Sequence, residues 1–425
     1  MNPDLPTTTP DKLVIGLYVH LDLGWMDHPF TFSHFRIKSQ EQIDTIRSLG
    51  LQKIHYDPKR SDAAPSPNAT NASPSAPVTV DPAPTAETVA AQESKRRRVE
   101  QNRQLREKIG GCEREFVKAA GVVRNISRNL LSNPKEAVAG ANQLTDEMLQ
   151  SLLGDSDVAI HLMNDKVAGE EVYYHSLNVA MLSAILGKAM GLDAETMRAI
   201  SLGALFHDIG KLDIPDKILL KKDPLTRAEE NLFQQHCSYG VELGKRVGLA
   251  PAVIAVIAQH HETLDGKGYP AGLADDKISI AARVVGVVNA YDNLCNPANI
   301  AAAMTPHEAL SMMYAKQRGK HDGVALGKLV HTLGVFPPGT VVRLSNDMTG
   351  MVISVNDAKP LRPTVMVYDP DVPKREAIIL DLETEPEINI GKALRPGQLP
   401  REVFEYLSPR KRTTYYFDAT ARSGA

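Results

Sequence analysis

Residues 260–273 of this chain read HHETLDGKGYPAGL and follow an apolar run of helical length that begins at Pro251. Proline suits the first turn of a helix, whereas the glycines and the proline between 266 and 272 do not suit a helix interior. The pattern predicts that His260 and His261 lie at the mouth of a glycine-rich loop, where backbone can approach a ligand closely.

Neighbouring residues on a helix point about 100° apart. His260 and His261 can therefore reach one site only if it lies at the helix end or holds more than one metal ion. Taken alone, the pair is equally consistent with two exposed or capping histidines, because short motifs match by chance.

Composition limits the function classes. A length of 425 residues allows two or three domains, and 48 Lys+Arg against 51 Asp+Glu give a net charge of −3. That balance gives no argument for nucleic acid or an anionic membrane as a partner, and we expect neither. The cysteines, Cys112, Cys237 and Cys295, form no close pair, which favours a reducing compartment. Without a segment of about 20 apolar residues or a signal-peptide core, we expect a soluble cytoplasmic protein.

The N-terminal part of the chain divides by composition. Residues 1–56 predict a small α+β module, with a helix over 39–50 that Ser39 caps and Gly50 ends. Residues 57–94 are rich in Pro, Ala, Ser and Thr and have almost no large apolar residue. Such a segment buries too little surface to offset its ordering entropy, so it predicts a disordered tether.

The remainder is mainly helical and ends in short β-type runs. Residues 95–155 predict a helical connector that is broken near Ser132-Asn-Pro134. Residues 156–335 have the 3.6-residue apolar spacing of a helical bundle. Residues 336–425 predict a β-rich extension, in which strands reach about residue 392 and an irregular tail follows. The expected fold class is mainly α.

Metal-binding side chains recur through the helical region. A lone histidine on an apolar helix is more often a core residue than a ligand, but seven such donors over successive helices are harder to dismiss. They are Glu171, His175, His207, Asp208, His236, His260 and His261. Imidazole with carboxylate suits iron, manganese, zinc or nickel and not calcium. The donors exceed what one ordinary site needs, which indicates a two-metal centre.

A two-metal centre suits phosphoryl chemistry, because paired ions bind phosphate oxygens and activate water. The cation of Lys211 is suited to offset charge on a phosphate, and Tyr269 offers an aromatic face to a base. The pattern therefore favours a nucleotide phosphodiesterase.

Two stretches, His207-Asp-Ile-Gly-Lys211 and His260–Pro270, resemble the signatures of the HD-GYP family, bacterial cyclic di-GMP phosphodiesterases of the HD superfamily. The similarity extends through Arg283 and Asp292. The N-terminal segment resembles the domain of unknown function that precedes HD-GYP in one subgroup. The resemblance implies an HD-type helical bundle over 156–335, between the small N-terminal α+β module and the small C-terminal β module.

The resemblance also implies a site. Two divalent metal ions, iron or manganese, would lie among the seven donors and Asn289, and His207, Asp208 and Lys211 would serve catalysis. The substrate side would be formed by Lys211, Gly268, Tyr269, Pro270 and Arg283. The implied reaction is hydrolysis of cyclic di-GMP to pGpG, GMP or both by a hydroxide bridging the metals. The GYP loop is also implied as a surface for diguanylate cyclase (GGDEF) domains, and a homodimer is left open.

The sequence departs from the family pattern in two places. Many members have Asp where this chain has Asn289, and Asn offers a neutral oxygen in place of a carboxylate. After Asp292 many members have an Arg-x-Tyr-Arg stretch, whereas this chain continues without a cation to Ile300. The alternative hypothesis is therefore a catalytically impaired cyclic di-GMP receptor or a scaffold for cyclases. A third, another HD-type nucleotide phosphohydrolase, is disfavoured by the GYP loop.

Overall fold

The computed structural model describes residues 5–24, 27–30, 32–66, 86–153, 159–162, 171–221, 223–297, 299, 302–356, 359–408 and 415–418. The chain forms two compact units. The first comprises residues 1–106 and 369–378, and the second comprises residues 107–368 and 379–425. Trp25 and the predicted tether between 67 and 85 lie outside the described residues.

The first unit is built on a small antiparallel sheet. Its strands are β1 (Thr7–Thr8), β2 (Tyr18–His20), β3 (His34–Arg36) and β4 (Ile54–Tyr56), in the order β1-β4-β2-β3. Helix α1 (Gln40–Ser48) begins at Ser39, whose side chain accepts the Gln42 amide, and Gly50 follows its end with φ 71°. The predicted cap and terminator are confirmed. The unit's core is aliphatic and contains Leu13, Leu17, Val19, Leu21, Ile37, Ile43, Ile46 and Ile54.

The tether prediction is wrong at both ends. Helix α2 (Ala86–Asn129) starts inside the segment predicted to be disordered. At the other end, the Ser61 hydroxyl accepts the Tyr18 amide at 2.9 Å and Asp62 pairs with Arg36 at 2.8 Å. The helix forms because Ala, Glu and Gln after residue 86 are strong helix formers. Averaging them with the proline-rich residues before them hid that preference.

The second unit is mostly helical, as predicted. The break between α2 and α3 falls at the expected Ser132-Asn-Pro134. Within the described residues, none of the helices combines the length and hydropathy that crossing a bilayer requires. The described helices are α3 (Pro134–Leu153), α4 (Glu171–Ala189), α5 (Ala194–Phe206), α6 (Asp216–Leu219), α7 (Arg227–Gln234), α8 (His236–Arg246), α9 (Pro251–Gln259), α10 (Ile280–Cys295), α11 (Pro306–Lys316) and α12 (Gly323–Leu333).

A capping box opens α7, as the sequence indicates. The Thr226 side chain accepts the Glu229 amide, and the Glu229 side chain accepts the Thr226 amide in return. Helix α7 ends at Gln234, and Gln235 forms a turn. His236 is the first residue of α8, although its place ten residues after Thr226 in the sequence would also fit the interior of one longer helix.

An antiparallel sheet follows the helices. It contains β6 (Val341–Leu344), β7 (Thr349–Asn356), β8 (Thr364–Val367), β9 (Ile378–Asp381) and β10 (Ile390–Leu394), joined by β5 (Ala159–Leu162) and β11 (Tyr415–Asp418). The tail predicted to be irregular carries α13 (Arg401–Leu407) and β11. A four-residue strand is too short to show alternation, and its pairing with β5 is set by tertiary contact.

Two glycines allow the helices around the site to meet closely. A Cβ on Gly203 of α5 would lie 2.6 Å from the Cβ of Val256 on α9. A Cβ on Gly210, in the 3-10 helix Ile209–Asp213, would lie 1.9 Å from the His236 carbonyl oxygen. The second contact involves backbone, which cannot yield as a side-chain tip can, so glycine is required there.

We expect Gly210→Ala to destabilise the second unit by about 3 kcal/mol, because α8 must shift to admit the methyl group. Gly327→Ala is the matched control, since its Cβ meets nothing within 4 Å and it lies inside α12. Alanine there should raise stability by about 0.5–1 kcal/mol. Thermal unfolding followed by circular dichroism measures both. Equal melting temperatures for Gly210→Ala and wild type would refute the packing argument.

Candidate metal centre

The predicted donors come together where the helices end. His207 and Asp208 follow α5, His236 opens α8, and His260 and His261 follow α9. His207, His236 and His260 are almost completely buried, and Asp208 is 8% exposed. Side chains at helix ends can converge on one point from several directions, which explains how distant parts of the sequence meet here.

Backbone carbonyls fix the orientation of three imidazoles. The Nδ1 atom of His207 donates to Ala204 O at 2.6 Å, that of His236 to Phe233 O at 2.7 Å, and that of His260 to Ile257 O at 2.9 Å. A carbonyl can only accept, so each Nδ1 carries the proton. In the neutral ring each Nε2 then presents a lone pair, which is the arrangement of a metal-binding histidine.

These Nε2 atoms approach each other closely. Nε2 of His175 lies 3.1 Å from Nε2 of His207, and Nε2 of His236 lies 3.4 Å from Nε2 of His260. Two lone pairs at this distance repel unless a cation or proton lies between them. Nitrogen ligands about 2.1 Å from one ion, at right angles, are about 3 Å apart. The donors therefore fit a metal ion.

Asp208 lies between two groups of imidazoles. Its Oδ2 is 3.3 Å from His207 Nε2 and 3.6 Å from His175 Nε2. Its Oδ1 is 3.5 Å from His236 Nε2 and 3.9 Å from His260 Nε2, and this buried oxygen has no hydrogen-bond partner. The ligand atoms of each group lie within 4.8 Å of one another, and the groups are Asp208 with His236, His260 and His261, and Asp208 with His175 and His207.

The electrostatics keep these donors in their metal-binding forms. Burial alone would raise the pKa of Asp208, but the neighbouring His207 and Lys211 hold that pKa well below its usual value. Burial, reinforced by neighbouring imidazoles, lowers the pKa of His260 and of His261 far below the ordinary value. At neutral pH the carboxylate is charged and these imidazoles are neutral, which are the protonation states that ligate metals.

A cation borders the same carboxylate. Nζ of Lys211 lies 2.5 Å from Asp208 Oδ2 and 5.4 Å from the centre of the Phe233 ring. The 3-10 turn after Asp208 sets this spacing of three residues. The Lys211 side chain is 29% exposed, so its charge faces both the cluster and solvent.

A chain of hydrogen bonds through Asp292 fixes the orientation of the His175 ring. Its Nδ1 lies 2.5 Å from Asp292 Oδ2, and the Asn178 amide donates to Asp292 Oδ1 at 2.5 Å. The Asn178 oxygen in turn accepts the Tyr415 backbone N–H at 2.8 Å. Sequence reasoning missed Asn178 and Tyr415. The spacing of Asn178 from His175 could have drawn attention to the first, but no local signal marks the second.

Glu171 and Asn289 are the two remaining predicted ligands. Glu171 is the first residue of α4, and its side chain lies outside the part of the chain that the structure describes. Asn289 is buried on α10, and its Oδ1 accepts a hydrogen bond from the Asn293 amide at 2.9 Å.

The glycine-rich loop is folded around Glu262. The Glu262 carboxylate, which sequence reasoning also missed, accepts the backbone N–H groups of Ala271 at 2.7 Å and Leu273 at 2.9 Å. A Cβ on Gly268 would lie 2.4 Å from the Thr263 nitrogen, so glycine lets the loop close on itself. The Tyr269 ring stacks on His261, with ring centres 4.5 Å apart and 21° between planes. Tyr269 thus supports a predicted ligand.

Arg283 has contacts other than those predicted. Its guanidinium donates to Ile278 O at 2.9 Å and to Asp275 O at 2.6 Å, and it faces Asp322 at 3.4 Å. These contacts hold the turn before α10, and the substrate contact expected of Arg283 stays a prediction. Pro270 is exposed at the edge of the loop.

Family models match three regions of the chain. Residues 125–324 match the HD domain, residues 7–141 match a domain of unknown function (DUF3391), and residues 341–401 match the KOW domain associated with HD domain. The first match contains the imidazole cluster. The second runs from the N-terminal sheet through α2 into α3.

The chain is also similar to curated bacterial proteins. It is 29% identical over 360 residues to the Pseudomonas aeruginosa protein named cyclic di-GMP phosphodiesterase PA4108, covering 84% of this chain and 83% of that protein. It is 36% identical over 141 residues to the Xanthomonas campestris cyclic di-GMP phosphodiesterase response regulator RpfG, covering 33% of this chain and 37% of that protein. It is 33% identical over 141 residues to the Vibrio cholerae 3'3'-cGAMP-specific phosphodiesterase 1, covering 33% of each.

We expect Asp292→Asn to weaken metal retention about 10- to 100-fold, because a charged partner no longer orients His175. The measurement is the amount of metal per chain after dialysis against a weak chelator, determined by mass spectrometry. Asp216→Asn removes the same charge at an exposed position of α6 and should change nothing. Equal retention in Asp292→Asn and wild type would contradict the orienting role.

A negative charge introduced at residue 289 should have the opposite effect on metal retention. Glu171 and Asp208, the predicted carboxylate ligands, offer two negative charges to two dications. Asn289→Asp adds a third and should raise metal retention in the same dialysis experiment. Asn125→Asp, the same change at an exposed position of α2, is the control. Unchanged or lower retention in Asn289→Asp would refute the proposed ligand position.

Proposed function

We propose that this chain is a metal-dependent phosphodiesterase that hydrolyses cyclic di-GMP, because its residues 125–324 match the HD domain. The similarity to proteins named cyclic di-GMP phosphodiesterases supports the choice of substrate. The proposed ligands are the imidazoles and carboxylates around Asp208, together with Glu171 and Asn289.

One observation carries this proposal. The two donor groups share Asp208, and the two oxygens of Asp208 face different groups. A carboxylate in that position can bridge two ions, with His175 and His207 on one side and His236, His260 and His261 on the other. A single-ion site would leave one of these buried groups without a function.

When bound, two divalent ions would polarise the phosphodiester and activate water for attack on phosphorus. The chain's own residues hold the charges in place for that step. Asp208 remains ionised between the two donor groups, and His260 and His261 remain neutral because burial lowers the pKa of each. Tyr269 stacked on His261 limits the motion of that ring.

Lys211 is the proposed contact for a substrate phosphate. Its ammonium group lies against Asp208 and is partly exposed, so an entering phosphate can approach it from solvent. Charge that builds on the phosphoryl oxygens during attack is then opposed by this cation. The pairing with Asp208 holds the long side chain in position before substrate arrives.

The donor set supports iron or manganese as the metal, since imidazole and carboxylate suit both. Cyclic di-GMP has two equivalent phosphodiester bonds. Cleavage of one gives linear pGpG, and cleavage of the second gives GMP, so the proposed products are pGpG, GMP or both.

The proposal extends to a partner and to assembly. Lys267, Pro270 and Ala271 form an exposed edge of the glycine-rich loop. We place the docking of GGDEF domains at this edge, where a cyclase would also reach the mouth of the site. A homodimer is a second proposed assembly.

Asn289 favours a second candidate function. With a neutral amide at a proposed ligand position, a second ion would be held less tightly, and the protein would act as a cyclic di-GMP receptor or cyclase scaffold without turnover. The relative named for 3'3'-cGAMP makes that dinucleotide a second candidate substrate.

We expect replacement of both His207 and Asp208 by Ala to reduce hydrolysis of cyclic di-GMP at least about 1,000-fold, since both donor groups lose a ligand. Product formation with Fe²⁺ or Mn²⁺ is measured by chromatography, and circular dichroism checks the helices. His331→Ala, an exposed histidine of α12, is the control.

The outcomes separate the candidates. Near-wild-type turnover in the double variant would overturn the metal-centre proposal. Binding of cyclic di-GMP by the metal-loaded wild type without turnover would favour the receptor. Faster cleavage of 3'3'-cGAMP than of cyclic di-GMP would change the substrate and leave the reaction class intact.

A further inference from the structure

A row of histidines crosses the sheet of the first unit. His20 on β2 directly opposes His34 on β3 and His55 on β4. Directly opposed residues in antiparallel strands share a face, so these imidazoles lie side by side. Val19, the neighbour of His20, points the other way into the aliphatic core. The His20 and His34 rings are stacked, with centres 5.5 Å apart and 22° between planes.

The carboxylates of Asp369 and Asp371, which lie much later in the sequence, approach His34 of this row. The segment 369–378 belongs to the same compact unit as the sheet. Ligand atoms of His34, Asp369 and Asp371 all lie within 4.8 Å of one another. Asp369 is fully buried, His34 is half-buried and Asp371 is exposed, so the group is closed on one side and open to solvent on the other.

A tight turn fixes the two carboxylates relative to each other. The Asp371 backbone N–H donates to Asp369 Oδ1 at 2.9 Å. Pro370 and Pro373 restrict the backbone around it, and the buried Val372 anchors the turn. Little conformational entropy would then be lost when an ion binds, which favours a preformed site over a chance meeting of charged groups.

The charges around the group suit a cation. Burial lowers the pKa of His34, and burial together with His34 lowers the pKa of His20 to about 4, so both rings offer a lone pair at neutral pH. Arg60, which lies 3.9 Å from the centre of the Tyr18 ring, also lowers the pKa of both histidines. At His34 the charge of Asp371 acts on the pKa more strongly than the charge of Arg60 does.

We propose that His34, Asp369 and Asp371 form a second metal site that takes a divalent first-row transition ion. One imidazole with two carboxylates suits Zn²⁺, Mn²⁺, Fe²⁺ or Co²⁺ better than Ca²⁺ or Mg²⁺. Three protein ligands leave a coordination position open, and the ring of His20 is the neighbouring donor available to fill it.

This site goes beyond the proposed function and does not depend on it. It lies in the unit that carries the sheet matched by the domain of unknown function. Binding would join β3 to a turn that is more than three hundred residues away in the chain. The first unit would thereby become responsive to metal supply through its own ligands.

Cobalt binding by the full-length chain tests the proposal. The parent protein carries His207→Ala and Asp208→Ala, which removes the carboxylate shared by both donor groups of the second unit and makes the result independent of catalysis. Equilibrium dialysis and visible absorption report Co²⁺ per chain. We expect Asp371→Asn or His34→Ala to remove one equivalent from this parent, with an affinity loss of at least about tenfold.

The controls keep the test decisive. His55→Ala removes an imidazole from the same face but outside the three-residue group, and it should leave Co²⁺ binding unchanged. Asp371 is exposed, so its replacement by Asn should not disturb folding, which circular dichroism checks. Equal Co²⁺ binding in Asp371→Asn and parent, or an equal loss in His55→Ala, would overturn the site.

Discussion

The buried carboxylate of Asp208 is the constraint on which the second unit depends. A charge in an interior is tolerated only with compensating groups, and here imidazoles approach both of its oxygens while Lys211 pairs with one of them. The lone pairs around it repel one another, so the arrangement favours a cation at its centre. The glycines at 203 and 210 allow the helices to come close enough to make it.

Contacts with the surrounding structure fix the orientation of the metal-binding side chains. Carbonyl oxygens three residues earlier fix the rings of His207, His236 and His260, so each helix end orients its own histidine. His175 lies within a helix and is held by Asp292, which in turn accepts a hydrogen bond from the Asn178 amide. Carbonyl oxygens of the local backbone thus orient three of the imidazoles, and a side chain from another helix orients the fourth.

Sequence predicted what depends on local pattern. The helical bundle, the caps at Ser39 and Thr226 and the clustering of histidines around Asp208 all follow from spacing and residue type. Contacts between distant residues could not be found this way. Asn178 and Tyr415 are 237 residues apart, and nothing near either residue marks the contact.

Two further differences have the same origin. Composition averaged over a window concealed the start of α2, because helix formers followed prolines directly. The family resemblance implies a substrate role for Arg283 but gave no sign that its guanidinium also contacts the neighbouring carbonyls and Asp322. A motif specifies which residue occurs, but the partners that decide its role come from the rest of the fold.

Strand β11 has a consequence for biosynthesis. It follows every other described element of the second unit in the chain, yet its first residue supports Asn178 behind His175. During translation, the helices of the second unit leave the ribosome long before that strand does. The hydrogen bonds that support His175 are therefore complete only after β11 has emerged, and a nascent chain carries the motif residues before it has the complete support for them.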